Sequence, residues 1–207
     1  MADDLLSLIR LVVAGKTAEA RRALDATPSL ATTAAHQGAT RRGARPFFFA
    51  TIGHYLYQGD TALHMAAAAH QRDIVELLVA RGADVRAKNR MGAEPLHYAA
   101  DGDRNPDAQI DTIRALVAAG ADPNAVCKRG VAPLHRAVRT RSSAAVRALL
   151  AAGANPRKRN GNGSTPQQLA KWTTGKSGSG SARARHEQAE IIRVLREAAA
   201  GDPAYTS

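Results

Sequence analysis

Apolar residues recur along this chain at helical spacing, in short runs separated by glycine and proline. One run carries Ile74, Leu77 and Leu78, and two later runs repeat this spacing at residues 113–117 and 146–150. A glycine follows each run, as is usual where a helix ends, at Gly82, Gly120 and Gly153. Helices of about eight to ten residues are unstable alone, so we expect successive helices to stack and bury their apolar faces together.

The helical runs belong to a longer unit that occurs three times. The stretch TALHMAAAAHQRDIVELLVARGAD begins at Thr61, and related stretches begin at Glu94 and Ala132. A degraded fourth copy begins near Ser164. The later copies place a proline at the expected first helical position, at Pro95, Pro133 and Pro166. Each of these copies starts 12 residues after the preceding helix-ending glycine, and this constancy predicts a fixed, hairpin-like connector between units.

The pattern G-x-T-P-L-H-x-A-A, followed by I-V-x-L-L-x-x-G-A-D, resembles the ankyrin repeat, closely over residues 59–165. The resemblance implies an all-α repeat solenoid of stacked helix-turn-helix units with β-hairpin-like connectors. It also implies that the histidine shared by the units hydrogen-bonds the backbone between neighbouring connectors, here His64, His97 and His135. We expect a single domain over residues 1–200 and a disordered tail over 201–207. Its predicted parts are an N-terminal capping repeat (1–35), an inserted aromatic and basic segment (36–58), three repeats (59–91, 92–129 and 130–162), and a C-terminal capping repeat with a Gly/Ser-rich loop (163–200), whose last helix spans His186–Ala199.

The inserted segment concentrates the aromatic residues of the chain. It contains all three phenylalanines and two of the four tyrosines. Apolar residues recur there at helical spacing, which predicts a short amphipathic helix after Pro46: Phe48, Phe49, Ile52, Tyr55 and Leu56. We interpret Phe47–Phe49 as an internal plug, because three exposed phenylalanines would promote aggregation. The alternative is an aromatic binding platform beside the basic residues Arg41, Arg42 and Arg45.

The charge of the chain is unevenly distributed. Its net charge is +11, and residues 123–186 contain thirteen Lys and Arg but no Asp or Glu. Such a basic window favours an anionic partner. The N-terminal stretch MADDLLSLIR lacks the basic start of a secretory signal, and no apolar run is long enough to span a membrane. We therefore expect a cytoplasmic protein, and a monomer.

Several motifs resemble catalytic or ligand-binding sites but lack a required residue. Gly175-Lys176-Ser177 would need a glycine at position 170 to form a phosphate-binding loop, and that residue is Ala170. The stretch DGDRNPD, residues 101–107, resembles the start of a calcium loop but places Pro106 where the turn needs glycine. We interpret it as a solvated acidic loop. The three repeat histidines lie one per unit, too far apart to share a zinc ion. We expect no enzyme activity, no cofactor and no metal.

The resemblance implies that a partner protein binds a concave groove formed by the connector tips and the first helix of each unit. The corresponding positions are Tyr57, Gln58, Arg90, Met91, Asp101, Lys128, Arg129, Arg139, Thr140, Asn162 and Trp172, with Arg157 and Arg159 extending the basic patch along the solenoid. The C-terminal half of this surface is basic, so we expect it to bind an acidic segment of a protein. The alternative is binding of nucleic acid or another polyanion through residues 123–186.

Overall fold

The computed structural model of the chain describes residues 2–40, 43–102, 105–172 and 181–201, and consists mainly of paired helices. The helices in this part of the chain are α1 Ala2–Val13, α2 Thr17–Ala26, α3 Ala62–Ala68, α4 Arg72–Ala80, α5 Pro95–Ala99, α6 Pro106–Ala118, α7 Pro133–Arg139, α8 Ser143–Ala151, α9 Pro166–Trp172 and α10 Ala182–Ala200. None of these helices is both long enough and apolar enough to cross a membrane.

The helices form two layers. The odd-numbered helices α1, α3, α5, α7 and α9 pack on one another in chain order and are called the inner helices below. The even-numbered helices α2 to α10 pack on one another in the same order and form the outer layer. Between the layers lies one continuous core of leucine, isoleucine, valine and alanine, with Leu63, Ile74, Leu96 and Ile113 fully buried. The predicted repeat solenoid is confirmed.

Local signals in the sequence set the helix boundaries. Pro95, Pro133 and Pro166 are the first residues of their helices, as predicted. The glycines that follow α4, α6 and α8 have positive φ, which a residue with a Cβ rarely adopts: Gly82 (84°), Gly120 (98°) and Gly153 (87°). Helix α10 begins earlier than the predicted His186, because the Ser181 hydroxyl accepts the Ala184 N–H at 3.1 Å and caps it.

The connectors are tight turns joined to one another by backbone hydrogen bonds. Within each turn, the N–H of Asn89, Cys127 and Asn160 bonds to the carbonyl four residues later. Between turns, the N–H groups of Arg90, Lys128 and Gly161 donate to the carbonyls of Gln58, Met91 and Arg129, at 2.9, 2.9 and 2.8 Å. We call the eight residues at these turns the tip row: Tyr57, Gln58, Arg90, Met91, Lys128, Arg129, Gly161 and Asn162.

The inserted segment is a hairpin, so the predicted helix after Pro46 is wrong. A 3₁₀ turn at Arg45–Phe47 leads into strand β1 (Phe48–Phe49), which pairs antiparallel with strand β2 (His54–Tyr55). Aromatic residues favour extended backbone, and Gly53 turns the chain with a φ of 60°. The apolar spacing fits both periods over so short a stretch, and these local preferences decide between them.

Candidate functional site

The repeat histidines join each unit to the next. In each unit the histidine Nδ1 accepts the backbone N–H three residues earlier, at 3.1 to 3.2 Å. The Nε2 atoms of His64, His97 and His135 lie 3.0, 3.0 and 3.2 Å from the carbonyls of Ala93, Val131 and Ser164. Because Nδ1 accepts, Nε2 carries the proton and donates it to the next connector. The predicted histidine–connector bonds are confirmed.

A buried carboxylate holds the inserted segment against the first two repeats. Asp60 is fully buried. Its oxygens accept the Asn89 Nδ2–H at 2.8 Å, the Tyr98 hydroxyl at 2.8 and 3.0 Å, and the Tyr57 backbone N–H at 2.6 Å. Burial and the neighbouring Asp60 charge raise the pKa of the Tyr98 hydroxyl well above its usual value, so it stays protonated and donates. This network fixes Tyr57 and Asn89 at the bases of two neighbouring tips.

A second polar cluster lies on the inner helices and includes the inserted hairpin. The carboxylate of Asp101 lies 2.6 Å from Arg136 Nη1, 3.3 Å from Arg139 Nη2 and 3.9 Å from His54 Nε2. The His54 ring packs on the Tyr98 ring with centroids 4.4 Å apart. Burial opposes the charged form of Asp101, but Arg136, the hydrogen bond from His54 and Arg139 together outweigh it and hold the pKa of Asp101 below its usual range.

This cluster corrects two expectations. Asp101 is bonded to arginines and its side chain is only 14% exposed, so it is not part of a solvated acidic loop, and these partners leave it unsuited to calcium. The basic window is also partly neutralised by carboxylates from outside it, because Asp101 pairs with Arg136 and Arg139, and Glu190 pairs with Arg147. Among the described residues, no group of histidine, cysteine and carboxylate side chains could hold a metal ion.

The tip row brings several of the predicted groove residues together. Lys128 and Arg129 are exposed on one tip, next to Met91, which is 40% exposed on the preceding tip. Arg90 is partly buried, since its guanidinium donates to the Ala39 carbonyl and lies 5.5 Å from the centre of the Tyr57 ring. Gln58 is exposed on the first tip. These residues form a continuous row because the backbone bonds between tips fix their order.

Other predicted positions lie apart from this row. Arg157 donates to the Ala199 carbonyl at the end of α10, as Arg86 and Asn124 donate to Gly120 and Gly153 at the ends of earlier outer helices. Its placement in the groove is therefore wrong, because the start of each connector runs past an outer helix.

Three further positions complete the predicted surface. Arg159 is exposed and donates to the Gly163 carbonyl within its own connector, at 2.7 Å. The hydroxyl of Thr140 caps its own helix by donating to the Arg136 carbonyl at 3.0 Å. Asn162 is exposed on the last tip. The side chain of Trp172, the Gly/Ser-rich stretch at 173–180, and Arg41 and Arg42 lie outside the described residues.

The phenylalanines of the insert divide between the core and the surface. Leu56 is buried, and Phe47 and Phe49 are partly buried and pack against the core. Phe48 is 43% exposed, and its ring packs on Tyr55 across the hairpin with centroids 4.7 Å apart. Interpreting Phe47–Phe49 as an internal plug is therefore wrong for Phe48, because successive strand residues point to opposite faces. Phe48 and Tyr55 form an aromatic face on the outside of the hairpin.

The sequence profile of a family described as ankyrin repeats (3 copies) matches residues 34–126 and 89–160, together more than half of the chain. The chain belongs to the ankyrin-repeat family. It is also similar to the Notch-regulated ankyrin repeat-containing protein A of Danio rerio, with 47% identity over 45 residues. That match covers 22% of this chain and 40% of the relative. Ankyrin repeats generally mediate protein–protein interactions.

Two elements of this ankyrin-repeat site were not predicted from the sequence. The first is His54, which the hairpin places on Tyr98 and Asp101. The second is the carboxylate of Asp60, which is buried although the residue lies in a glycine-containing turn. A signal for Asp60 was present, because Tyr98 is the only tyrosine that follows a repeat histidine directly, and a buried hydroxyl needs a partner.

The division of the insert predicts different effects of two substitutions. Leu56→Ala should lower the free energy of unfolding by about 2–5 kcal/mol, because Leu56 is buried and alanine leaves a cavity. Phe48→Ala should lower the free energy of unfolding by less than about 1 kcal/mol, because much of the Phe48 side chain is already exposed to water. Urea unfolding followed by circular dichroism measures both. A Phe48→Ala loss as large as that of Leu56→Ala would restore the plug interpretation.

Proposed function

We propose that this ankyrin-repeat domain is a non-catalytic module that binds an acidic segment of a partner protein along its tip row. The observation that carries the proposal is the exposure of Lys128 and Arg129, next to the exposed Met91, on a backbone held from both sides. Charged groups around a central apolar contact favour specific association with a segment of opposite charge.

The backbone at the tips is held in place by close contacts between neighbouring tips. Gly130 has a φ of 65°, and a Cβ there would lie 2.7 Å from the Gly161 nitrogen. The chain can therefore pass this close to the next tip only with glycine at this position. Because Lys128 and Arg129 precede this turn and are both bonded to neighbouring tips, little backbone order is lost when a partner binds.

The non-catalytic part of the proposal is supported by the histidines. Burial lowers the pKa of His64, His97 and His135, a feature that active-site residues also show. Here, however, both ring nitrogens of each histidine lie within hydrogen-bond distance of the backbone, so these residues are structural. That the protein is a cytoplasmic monomer stays a prediction.

A peptide partner is favoured over a polyanion by the way the basic window is used. Arg136, Arg147 and Arg157 each donate to a carboxylate or carbonyl of the protein itself. The exposed cations of the tip row are confined to one turn, whereas polyanion binding relies on many phosphate contacts spread over a surface.

Charge reversal at the tip tests the proposed function. Peptides selected from a random display library against the wild-type domain should be enriched in Asp and Glu. Lys128→Glu/Arg129→Glu should lower the affinity for the selected peptides at least tenfold, because the new carboxylates repel those of the peptide. The affinity of the wild-type domain should fall as the salt concentration rises. The control Arg21→Glu/Arg22→Glu makes the same change of charge at two exposed positions on α2 and should retain binding.

Two results would contradict the proposed function. One is equal weakening by the two double variants, which would indicate a nonspecific effect of net charge. The other is competition by duplex DNA, together with a log–log plot of the binding constant against salt concentration whose slope steepens by about 0.9 per phosphate contact. That result would indicate polyanion binding.

A further inference from the structure

The inserted hairpin has two faces with different roles. On strand β2, His54 points toward the repeats and packs on Tyr98, with ring centroids 4.4 Å apart. Tyr55, the next residue, points to the opposite side, where its ring meets Phe48. The inward face anchors the hairpin, and the outward face leaves Phe48 43% exposed.

The outward face is connected to the tip row by measured contacts. The Tyr55 and Tyr57 rings lie with centroids 6.3 Å apart, and Arg90 lies 5.5 Å from the centre of the Tyr57 ring. Arg90 directly precedes Met91, whose carbonyl accepts the Lys128 N–H at 2.9 Å. These contacts link the aromatic rings, through Arg90, to the exposed Met91, and the next tip carries the cations Lys128 and Arg129.

We propose that the outward face of the hairpin, formed by Phe48, Tyr55 and Tyr57, binds a large apolar side chain of the same partner segment whose carboxylates contact Lys128 and Arg129. This inference rests on the proposed function and specifies the partner further. Partly exposed aromatic side chains bind aromatic and aliphatic side chains through their ring edges and apolar area, and such contacts commonly dominate the affinity of an interface.

The distance between the two contacts fixes the spacing in the partner. Tyr57 and Lys128 lie on tips two repeats apart, and stacked repeats are separated by about 8–10 Å each. An extended chain covers about 3.3 Å per residue. The apolar residue and the acidic residues of the partner should therefore be separated by about five or six residues.

A single-stranded nucleic acid is a less suitable occupant of this surface. Bases bind by stacking on open ring faces. Here the Phe48 and Tyr55 rings pack against each other, and Arg90 covers the Tyr57 ring. The surface therefore offers ring edges and exposed apolar area, which suit a side chain better than a base.

Synthetic peptides test the inference. The probe is a labelled peptide with one Trp, five Gly/Ser residues and three Glu, made in both chain directions, together with a Trp→Ala version and a version with one spacer residue. Of the two chain directions, the one that binds better should bind the wild-type domain about tenfold more tightly than the Trp→Ala peptide or the peptide with one spacer residue does. Phe48→Ala should remove this advantage and leave the affinity for the Trp→Ala peptide unchanged. Lys128→Glu/Arg129→Glu should weaken both the Trp peptide and its Trp→Ala version.

The possible failures are distinguishable. If Lys128→Glu/Arg129→Glu weakens the peptides but neither Phe48→Ala nor Trp→Ala has an effect, the hairpin inference is overturned and the proposed function stands. If Lys128→Glu/Arg129→Glu has no effect, the proposed function fails. If Phe48→Ala lowers the affinity for oligo(dT) but not the affinity for the Trp peptide, the outward face binds nucleic acid and the inference is overturned. Phe48→Leu keeps an apolar side chain and should retain most of the Trp advantage.

Discussion

Replacing Asp60 by alanine should lower the free energy of unfolding by about 3–5 kcal/mol, because it leaves three donors of a largely buried network without their acceptor. The carboxylate accepts hydrogen bonds from the Tyr98 hydroxyl, the Asn89 amide and the Tyr57 backbone. Each buried donor left without an acceptor costs about 1–3 kcal/mol. The three donors come from the first tip, the next connector and an inner helix, so the loss should loosen the contact between the insert and the repeats.

Urea unfolding of matched variants measures this effect. Asp111→Ala removes a half-exposed carboxylate that lies 3.8 Å from Arg114 on α6, and it should lower the free energy of unfolding by less than about 1 kcal/mol. Tyr98→Phe keeps the ring and removes one donor, so it should cost less than Asp60→Ala. A double-mutant cycle between Asp60 and Tyr98 should show strong coupling. A loss below about 1 kcal/mol for Asp60→Ala would mean that the network does not hold the insert in place.

The domain should lose stability steeply between pH 6.5 and pH 4, because its repeat histidines are neutral in the folded state. Burial lowers the pKa of His97 from 6.5 to about 4, and it lowers the pKa of His64 and His135 in the same direction. A group whose pKa is depressed in the folded state contributes stability above its unfolded pKa, and that contribution is lost as the pH falls. Because of the lowered pKa of His97 alone, the free energy of unfolding should be about 2 kcal/mol smaller at pH 5 than at pH 7.5.

Other titrating groups affect this window little or act below it. The lowered pKa of Asp101 also costs stability in acid, but only below its unfolded value of 3.8. Burial is the main cause of the raised pKa of Glu94. A raised pKa in the folded state adds stability as the pH falls, so Glu94 should offset a part of the loss.

Thermal unfolding at intervals between pH 7.5 and pH 4 measures the effect. His97→Gln should lower the melting temperature at pH 7.5 and narrow the difference between pH 7.5 and pH 5. A melting temperature constant from pH 7.5 to pH 5 would contradict the assignment of neutral, Nε2-protonated histidines.

The repeat architecture could be predicted from the sequence because it depends on local and periodic signals. Helix-starting prolines, helix-ending glycines and the apolar spacing of α4, α6 and α8 each act within a few residues, and the shared histidine recurs once per unit. The inserted hairpin was not predictable in this way. A stretch of nine residues fits a period of two as well as a period of 3.6, and only its packing on Tyr98 reveals which face points inward.

The candidate site was less predictable, because charge partners distant in sequence decide which cations remain exposed. Asp101 and Arg136 are 35 residues apart, and only the stacking of α5 on α7 brings them within 2.6 Å. Arg157 and Arg159 look equivalent in the sequence, yet one donates to the end of α10 and the other within its connector. A count of charges in a window therefore overstates the basic surface that a partner can reach.

The most direct measurement of the central claim is to map where an acidic ligand binds. The ¹⁵N-labelled domain would be titrated with an acidic peptide from the display selection, and backbone amide shifts would be followed by NMR. We expect the largest shifts at the tip row, above all at Met91, Lys128 and Arg129, with little change in α2 and α4. Largest shifts on the outer surface of α6 and α8, with an unperturbed tip row, would contradict it.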